Sequence, residues 1–357
     1  MVLRKNLFDL PEGVIYLDGN SLGPLPRTAK ARVADMIQDE WGGQLIKCWN
    51  SAGWMAQPSR VGDMVGRLIG APVGTVVMGD TLSIKVYQAL AAALRMRPNR
   101  KVILSDSGNF PTDLYIAQGL IQLLDSGYEL RVVDPEDVAA AIDDLAHSAG
   151  AVPVDLAACA CEFAVGCTYK YLNGGPGAPA FIYVRPDLAD AVDPALAGWL
   201  GHGAPFAFDL DYRPAPGSER MRGGTPPVIQ LTSLEAALEM WDGIDMHAVR
   251  AASLALQDVF IREVEARVPA LRLASPRDAS QRGSQVSFAF EHGYAAMQAL
   301  IARGVIGDFR APDIMRFGFT PLYLDEDDVC AAVDHIETVM RDRLWDDPAF
   351  MTRQRVT

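Results

Sequence analysis

The stretch Gly166-Cys167-Thr168-Tyr169-Lys170-Tyr171-Leu172-Asn173-Gly174-Gly175 places one lysine after an apolar, strand-like run and before a glycine-rich turn. In apolar surroundings a lysine amine holds its proton less firmly and becomes a nucleophile able to form a Schiff base. Upstream stands Asp144, in Asp144-Leu145-Ala146-His147-Ser148-Ala149-Gly150. An aspartate, a histidine and a lysine spread across one α/β domain point to pyridoxal 5'-phosphate (PLP). In that reading the lysine carries the cofactor and the acid pairs with its pyridine nitrogen.

Outward from that loop, short apolar runs alternate with amphipathic stretches, the pattern of an α/β domain. Residues 75–78, 101–105, 129–133 and 178–184 read as strands, and 83–96 and 110–124 as helices. After the turn Gly223-Gly224-Thr225-Pro226-Pro227 the pattern changes. Helices are expected at 228–240, 246–268, 294–303 and 325–342, with strands at 285–290 and 314–318. Three regions follow: an N-terminal segment, 1–30, packing with the small domain; a large domain, 31–230; and a small α+β domain, 231–357.

Half of the 357 residues are apolar, enough to bury a large core, and the net charge of −13 argues against a nucleic-acid or anionic-membrane surface. The first ten residues lack the apolar core of a signal peptide, and no run approaches the length of a membrane span. A soluble cytoplasmic protein is expected. The five irregularly spaced cysteines form no disulfide framework, and Cys159, Cys161 and Cys167 lack a fourth ligand at zinc-like spacing. No metal is expected.

Three loops carry candidate chemistry. Met78-Gly79-Asp80-Thr81-Leu82-Ser83 leads from a strand into a helix, whose first N–H groups attract phosphate unless Asp80 or Thr81 merely caps it. Asn109-Phe110-Pro111-Thr112-Asp113 offers an aromatic face and a carboxylate, although most such aromatics are core. Asn173-Gly174-Gly175-Pro176-Gly177 lacks phosphate-loop spacing and reads as a turn that positions the lysine.

With these residues in place, the chain resembles kynureninase, of the fold-type-I PLP (aspartate aminotransferase-like) superfamily. The resemblance runs through Tyr16-Leu17-Asp18-Gly19-Asn20-Ser21-Leu22-Gly23, Trp49-Asn50-Ser51-Ala52-Gly53-Trp54 and Asn109 to Tyr115. It continues through Asp144 to Gly150, Tyr169 to Gly177, Gly198-Trp199-Leu200-Gly201-His202, and Met315-Arg316-Phe317-Gly318-Phe319-Thr320-Pro321-Leu322-Tyr323. It implies a large domain with a mostly parallel sheet and hydrolysis of L-kynurenine, or its 3-hydroxy form, with anthranilate and L-alanine from the former. It further implies a homodimer in tryptophan catabolism, on the kynurenine pathway toward NAD biosynthesis.

Carried over by position, Lys170 holds PLP and shuttles the α-proton, and Tyr169 is the proton donor or acceptor that also reaches the phosphate. Asp144 pairs with the pyridine nitrogen, Phe110 stacks on the ring, and Asp113 and His147 complete its surroundings. Leu82 and Ser83 meet the phosphate, while Trp199 and Thr225 lie near the cofactor, supplied across a dimer interface. Arg316 clamps the substrate carboxylate, and Trp49 and Asn50 meet its aromatic ring.

The chain departs from this pattern in one place. Roughly 35–40 expected residues are absent before Asp144, more than the dozen or so a βαβ crossover needs. Their loss removes a central strand and leaves backbone unpaired. The run 139–142 is the available replacement strand. Two alternatives stand beside the enzyme: an inactive PLP-binding relative, and a cysteine desulfurase or selenocysteine lyase-like enzyme. The latter place a histidine before the lysine, where this chain has Tyr169.

Overall fold

A computed structural model of the chain describes residues 2–134 and 142–353. The strands are β1 (Ile15–Tyr16), β2 (Val76–Met78), β3 (Val102–Asp106), β4 (Glu129–Val133), β5 (Ile142–Asp144), β6 (Phe163–Gly166) and β7 (Phe181–Val184), followed by β8 (Arg272–Leu273), β9 (Gln285–Ala289), β10 (Val305–Ile306), β11 (Asp308–Arg310) and β12 (Ile314–Gly318). The main helices are α1 (Arg27–Asp35), α2 (Gln57–Leu68), α3 (Leu82–Met96), α4 (Pro111–Leu124), α5 (Val228–Leu238), α6 (Met246–Arg267), α7 (Gly293–Ile301) and α8 (Glu326–Arg341).

The central sheet has the order β2-β7-β6-β5. β5 lies parallel to β6, β2 shares their direction, and β7 alone is reversed. Every residue of β6 and β7 is buried, as expected of apolar strands covered on both faces. β7 begins at Phe181 rather than at residue 178, after Pro179, whose nitrogen has no proton to give a ladder.

β3 and β4 stand apart as a two-stranded parallel sheet. The alanine-rich helix α3 spans both sheets. Val86, Ala89 and Ala92 pack among Val77, Phe163, Val165 and Ile182, while Ala91 and Leu94 pack against Ile103, Ala117 and Leu120. Among the described residues nothing joins β3–β4 to β5, and only residues 134–141 separate Val133 from Ile142. The parallel pair is accordingly left open: Val102, Leu104 and Val132 are 40%, 47% and 46% exposed. The strand that feeds Asp144 is Ile142–Asp144; the rest of the expected run, 139–141, lies outside the described residues.

In the C-terminal half the order β11-β12-β9-β8 gives an antiparallel sheet covered by α6 and α7, with α8 packed against both helices. Phe260 anchors it, its ring centroid 5.1 Å from Phe317 and 5.0 Å from Phe319. α8 starts in a capping box: Asp325 accepts from the Asp328 N–H, and the Asp328 carboxylate accepts from that of Asp325. The N-terminal segment is fastened to this half. β1 pairs with β10, the Arg4 N–H donates to the Leu322 carbonyl at 2.7 Å, and Lys5 Nζ lies 2.6 Å from Asp328 Oδ2. The segment then runs to the lysine loop, where the Gly23 N–H donates to the Tyr169 carbonyl at 2.8 Å.

Candidate active site

Parallel pairing of β5 with β6 sets Asp144 opposite Val165, so that both strands deliver their C-terminal ends to one cleft. Past β6, the buried Thr168 hydroxyl donates to the Pro179 carbonyl at 2.6 Å, and the Asn173 N–H closes a turn on the Lys170 carbonyl at 2.9 Å. Two glycines make the loop fit. A side chain at Gly174 would come within 2.8 Å of Ala178 and 2.9 Å of Leu234, and one at Gly23 would collide with the Lys170 carbonyl.

Within this frame Lys170 Nζ lies 2.9 Å from His147 Nε2. Burial lowers the Lys170 pKa; nearby Arg316 and Arg310 add to the effect, and Cys167 and Asp144 oppose it. Burial, with the charges of Lys170 and Arg316, pushes His147 down to about 4, although part of this residue stays open to the cleft. A neutral imidazole can accept a hydrogen bond from the lysine ammonium.

Asp113, in the first turn of α4, is pushed up to about 7 by burial, the charge of Asp144 and a hydrogen bond to Asp144. The like charge of Asp144 and the burial together favour the protonated form of Asp113, against the pull of Lys170. The Ala146 N–H fixes one Asp144 oxygen at 2.9 Å. Burial and the adjacent Cys167 raise Tyr169 to about 12, and its ring centroid lies 5.7 Å from Lys170 Nζ.

Leu82 and Ser83 open α3, and the side chain of Thr81 caps nothing there, leaving first-turn N–H groups facing outward. Asp80 is not a cap either. It adopts φ +57 and pairs with Lys85 at 3.6 Å. The fully buried Lys85 also donates to Gln88 Oε1 at 3.0 Å and to the Met221 carbonyl at 3.4 Å, tying the start of α3 to the segment that leads to Thr225.

Other expected site residues stand farther from this group. Phe110 is exposed, its N–H held by Asn109 Oδ1 at 2.7 Å. Trp49 packs edge-on against Trp54 at 5.7 Å, and Asn50 and Thr225 are exposed. Trp199 packs against Phe206 at 5.7 Å. Among the described residues none of these is hydrogen-bonded to Lys170. Arg316, in contrast, reaches the lysine group electrostatically, and it brings residues that sequence reasoning left without a role: Asp308, Arg310, Asp18 and Ser21. Asp308 and Arg310 flank Phe309 and so share a face, but on a strand of three residues, too short for its alternation to be read from the sequence.

The donor set fits PLP: a depressed amine, a hydrogen-bonded carboxyl pair, and a helix start whose first N–H groups have no side-chain cap, beside a serine. Among the described residues no three His, Cys, Asp or Glu side chains are grouped to hold a metal, and no helix is long and apolar enough to cross a membrane.

Residues 249–336 match the family described as "Kynureninase C-terminal domain". The chain is 48% identical to a kynureninase of Burkholderia pseudomallei (strain 1106a), over 99% of this chain and 95% of that protein. It is 46% identical to a kynureninase of Pseudomonas fluorescens with the same coverage. Both matches span 397 aligned positions against a chain of 357 residues, so at least 40 positions of each relative lack a counterpart here. In backbone shape the chain is similar to an apo cysteine desulfurase from Thermococcus onnurineus NA1, with TM-score 0.79, 16% identity, and coverage of 96% of this chain and 99% of that one. It is also similar to a C-DES mutant with glycine covalently linked to its PLP cofactor, with TM-score 0.78, 15% identity and coverage of 93% and 98%. At such identities the likeness establishes a shared PLP fold and no shared reaction. Cys167, the thiol beside Lys170, is held up at about 11 by burial and is a poor nucleophile.

Proposed function

The chain belongs to the kynureninase family, and on that premise we propose that it uses PLP to hydrolyse L-kynurenine to anthranilate and L-alanine. The 3-hydroxy form, one hydroxyl larger, is taken as a second substrate. When bound, PLP supplies the electron sink that acidifies the substrate α-carbon and allows its Cβ–Cγ bond to part.

The chain's own side chains do the rest. Lys170 anchors the cofactor and moves the α-proton with an amine made more basic-form-rich by burial. His147, neutral at Nε2, holds that amine in place. Asp144 would pair with the pyridine nitrogen, Asp113 would complete its surroundings, and Phe110 would stack on the ring. Leu82, Ser83 and Tyr169 take the phosphate, and Tyr169 also exchanges a proton at its hydroxyl. Arg316 receives the α-carboxylate, and Trp49 and Asn50 lie toward the aromatic end. Trp199 and Thr225 serve the site of a second subunit in a homodimer. We divide the chain into 1–30, 31–230 and 231–357, and assign it to tryptophan catabolism in the cytoplasm, on the route to NAD.

The observation that carries this reading is the contact of Lys170 with His147 at 2.9 Å beside the hydrogen-bonded Asp113–Asp144 pair. These groups remain together although the segment before Asp144 is short. The test is a visible spectrum of the purified chain with PLP, before and after L-kynurenine, alongside Lys170→Ala. Expected are a lysine-dependent band that shifts with substrate and the growth of anthranilate fluorescence. A spectrum of free PLP in both proteins would overturn the reading, and a band without turnover would leave a cofactor-binding pseudoenzyme.

A further inference from the structure

Arg316 is not a free arginine waiting in a cleft. On the antiparallel pair β11–β12 it stands directly opposite Asp308. Its Nε donates to Asp308 Oδ1 at 2.6 Å and its Nη2 to Asp308 Oδ2, a side-on fork. The Asp308 side chain is 3% exposed, and it also accepts from the Ser21 hydroxyl at 2.9 Å and lies 3.5 Å from Arg310 Nη2. Burial alone would raise its carboxyl, but the hydrogen bonds and charges of Arg316, Ser21 and Arg310 hold it below the usual carboxylate range. Asp308 is therefore ionised at any working pH.

We propose that Asp308 is the positioning residue for Arg316, fixing its guanidinium side-on so that the Nη1 edge is the one offered to a substrate carboxylate. A guanidinium has five N–H donors in one plane. Asp308 occupies the Nε–Nη2 side, and among the described residues Nη1 has no partner. The end-on Nη1–Nη2 fork remains, aimed in the plane that Asp308 dictates. Asp308 and Asp18 both act on Arg310 and Arg316 through their charge, and the two guanidiniums in turn act on Lys170 and His147. Asp18, whose carboxyl is pushed up to about 6 mainly by burial, acts on Arg316 through its charge, whereas the hydrogen-bonded fork is made by Asp308. The N-terminal segment therefore takes part, since Ser21 steadies the carboxylate that steadies the arginine.

This inference rests on the proposed kynurenine reaction, and its test separates the two. Holoenzyme is prepared as wild type, Asp308→Asn, Arg316→Gln and the double variant. Each is titrated spectroscopically with L-kynurenine and with kynuramine, which lacks the α-carboxylate. Asp308→Asn keeps the side-chain shape, and thermal melts confirm folding before comparison. Expected is about ten- to hundred-fold weaker kynurenine binding for Asp308→Asn, the usual scale for a charge-assisted hydrogen bond. KM should rise with kcat nearly unchanged, kynuramine binding should not move, and the double variant should be no worse than Arg316→Gln. Equal losses for kynurenine and kynuramine, or additive losses in the double variant, would make Asp308 merely structural and overturn the inference. So would wild-type affinity in Asp308→Asn. A wild type with no spectral response to kynurenine would sink both this and the reading beneath it.

Discussion

Lys85 is a second buried amine, and it is one that no motif announces. It is fully buried, and desolvation lowers its pKa from the ordinary 10.5 to about 8 despite the attraction of Asp80. Between those pH values the unfolded chain binds more protons than the folded one, so this group makes folding more favourable as pH rises from 8 toward 10.5. At neutral pH its buried charge costs on the order of 3 kcal/mol. Lys85→Met is accordingly expected to be more stable than wild type at pH 7, with the gap closing by pH 10. Paired denaturant melts across that range check this, and a gap independent of pH would contradict it. Lys170, Asp144 and His147 were legible because each sits in a long ordered motif whose neighbours constrain its role. Lys85, Asp308 and Arg310 are ordinary charged residues in the sequence. What makes them special is burial and a cross-strand partner, and both arise only when distant segments meet.

At the scale of elements, most strands and helices lie within a residue or two of their expected places, because proline and glycine punctuate them. Pro111 opens α4, and α3 stops just before Pro98. The two- and three-residue strands β1, β10 and β11 carry too little periodicity to be seen beforehand. The break between β3–β4 and the central sheet was foreseeable from the shortened stretch before Asp144, and its result is a parallel sheet with apolar side chains in water. Grafting the relatives' segment between residues 134 and 142 should cover that surface. Each buried Val or Leu contributes roughly 1.5–3 kcal/mol, so a rise in Tm of about 5 °C or more is expected, with weaker binding of a hydrophobic dye. An unchanged Tm and unchanged dye binding would mean that the two sheets need no filler.

Over the whole molecule, apolar exposure gathers in two further places. Phe206 links Trp199 to Phe208 at 5.7 and 6.3 Å, with Leu210 fully exposed nearby in the chain, and Trp41, Leu45 and Ile46 are exposed along a second short stretch. Patches of this kind mark association surfaces. Sedimentation should give about twice the 38.7 kDa chain mass, and Phe208→Asp with Leu210→Asp should shift it toward the monomer. An unaltered mass in that variant would exclude this patch from the contact. The fastening of the N-terminal segment has a consequence in time. Lys5 finds Asp328 across 323 positions of chain, and Ser21 finds Asp308 across 287. During synthesis at about 5–20 residues per second, the segment leaves the ribosome many seconds before its binding partners exist. These contacts therefore close only after the C-terminal half has been made, long after the segment itself.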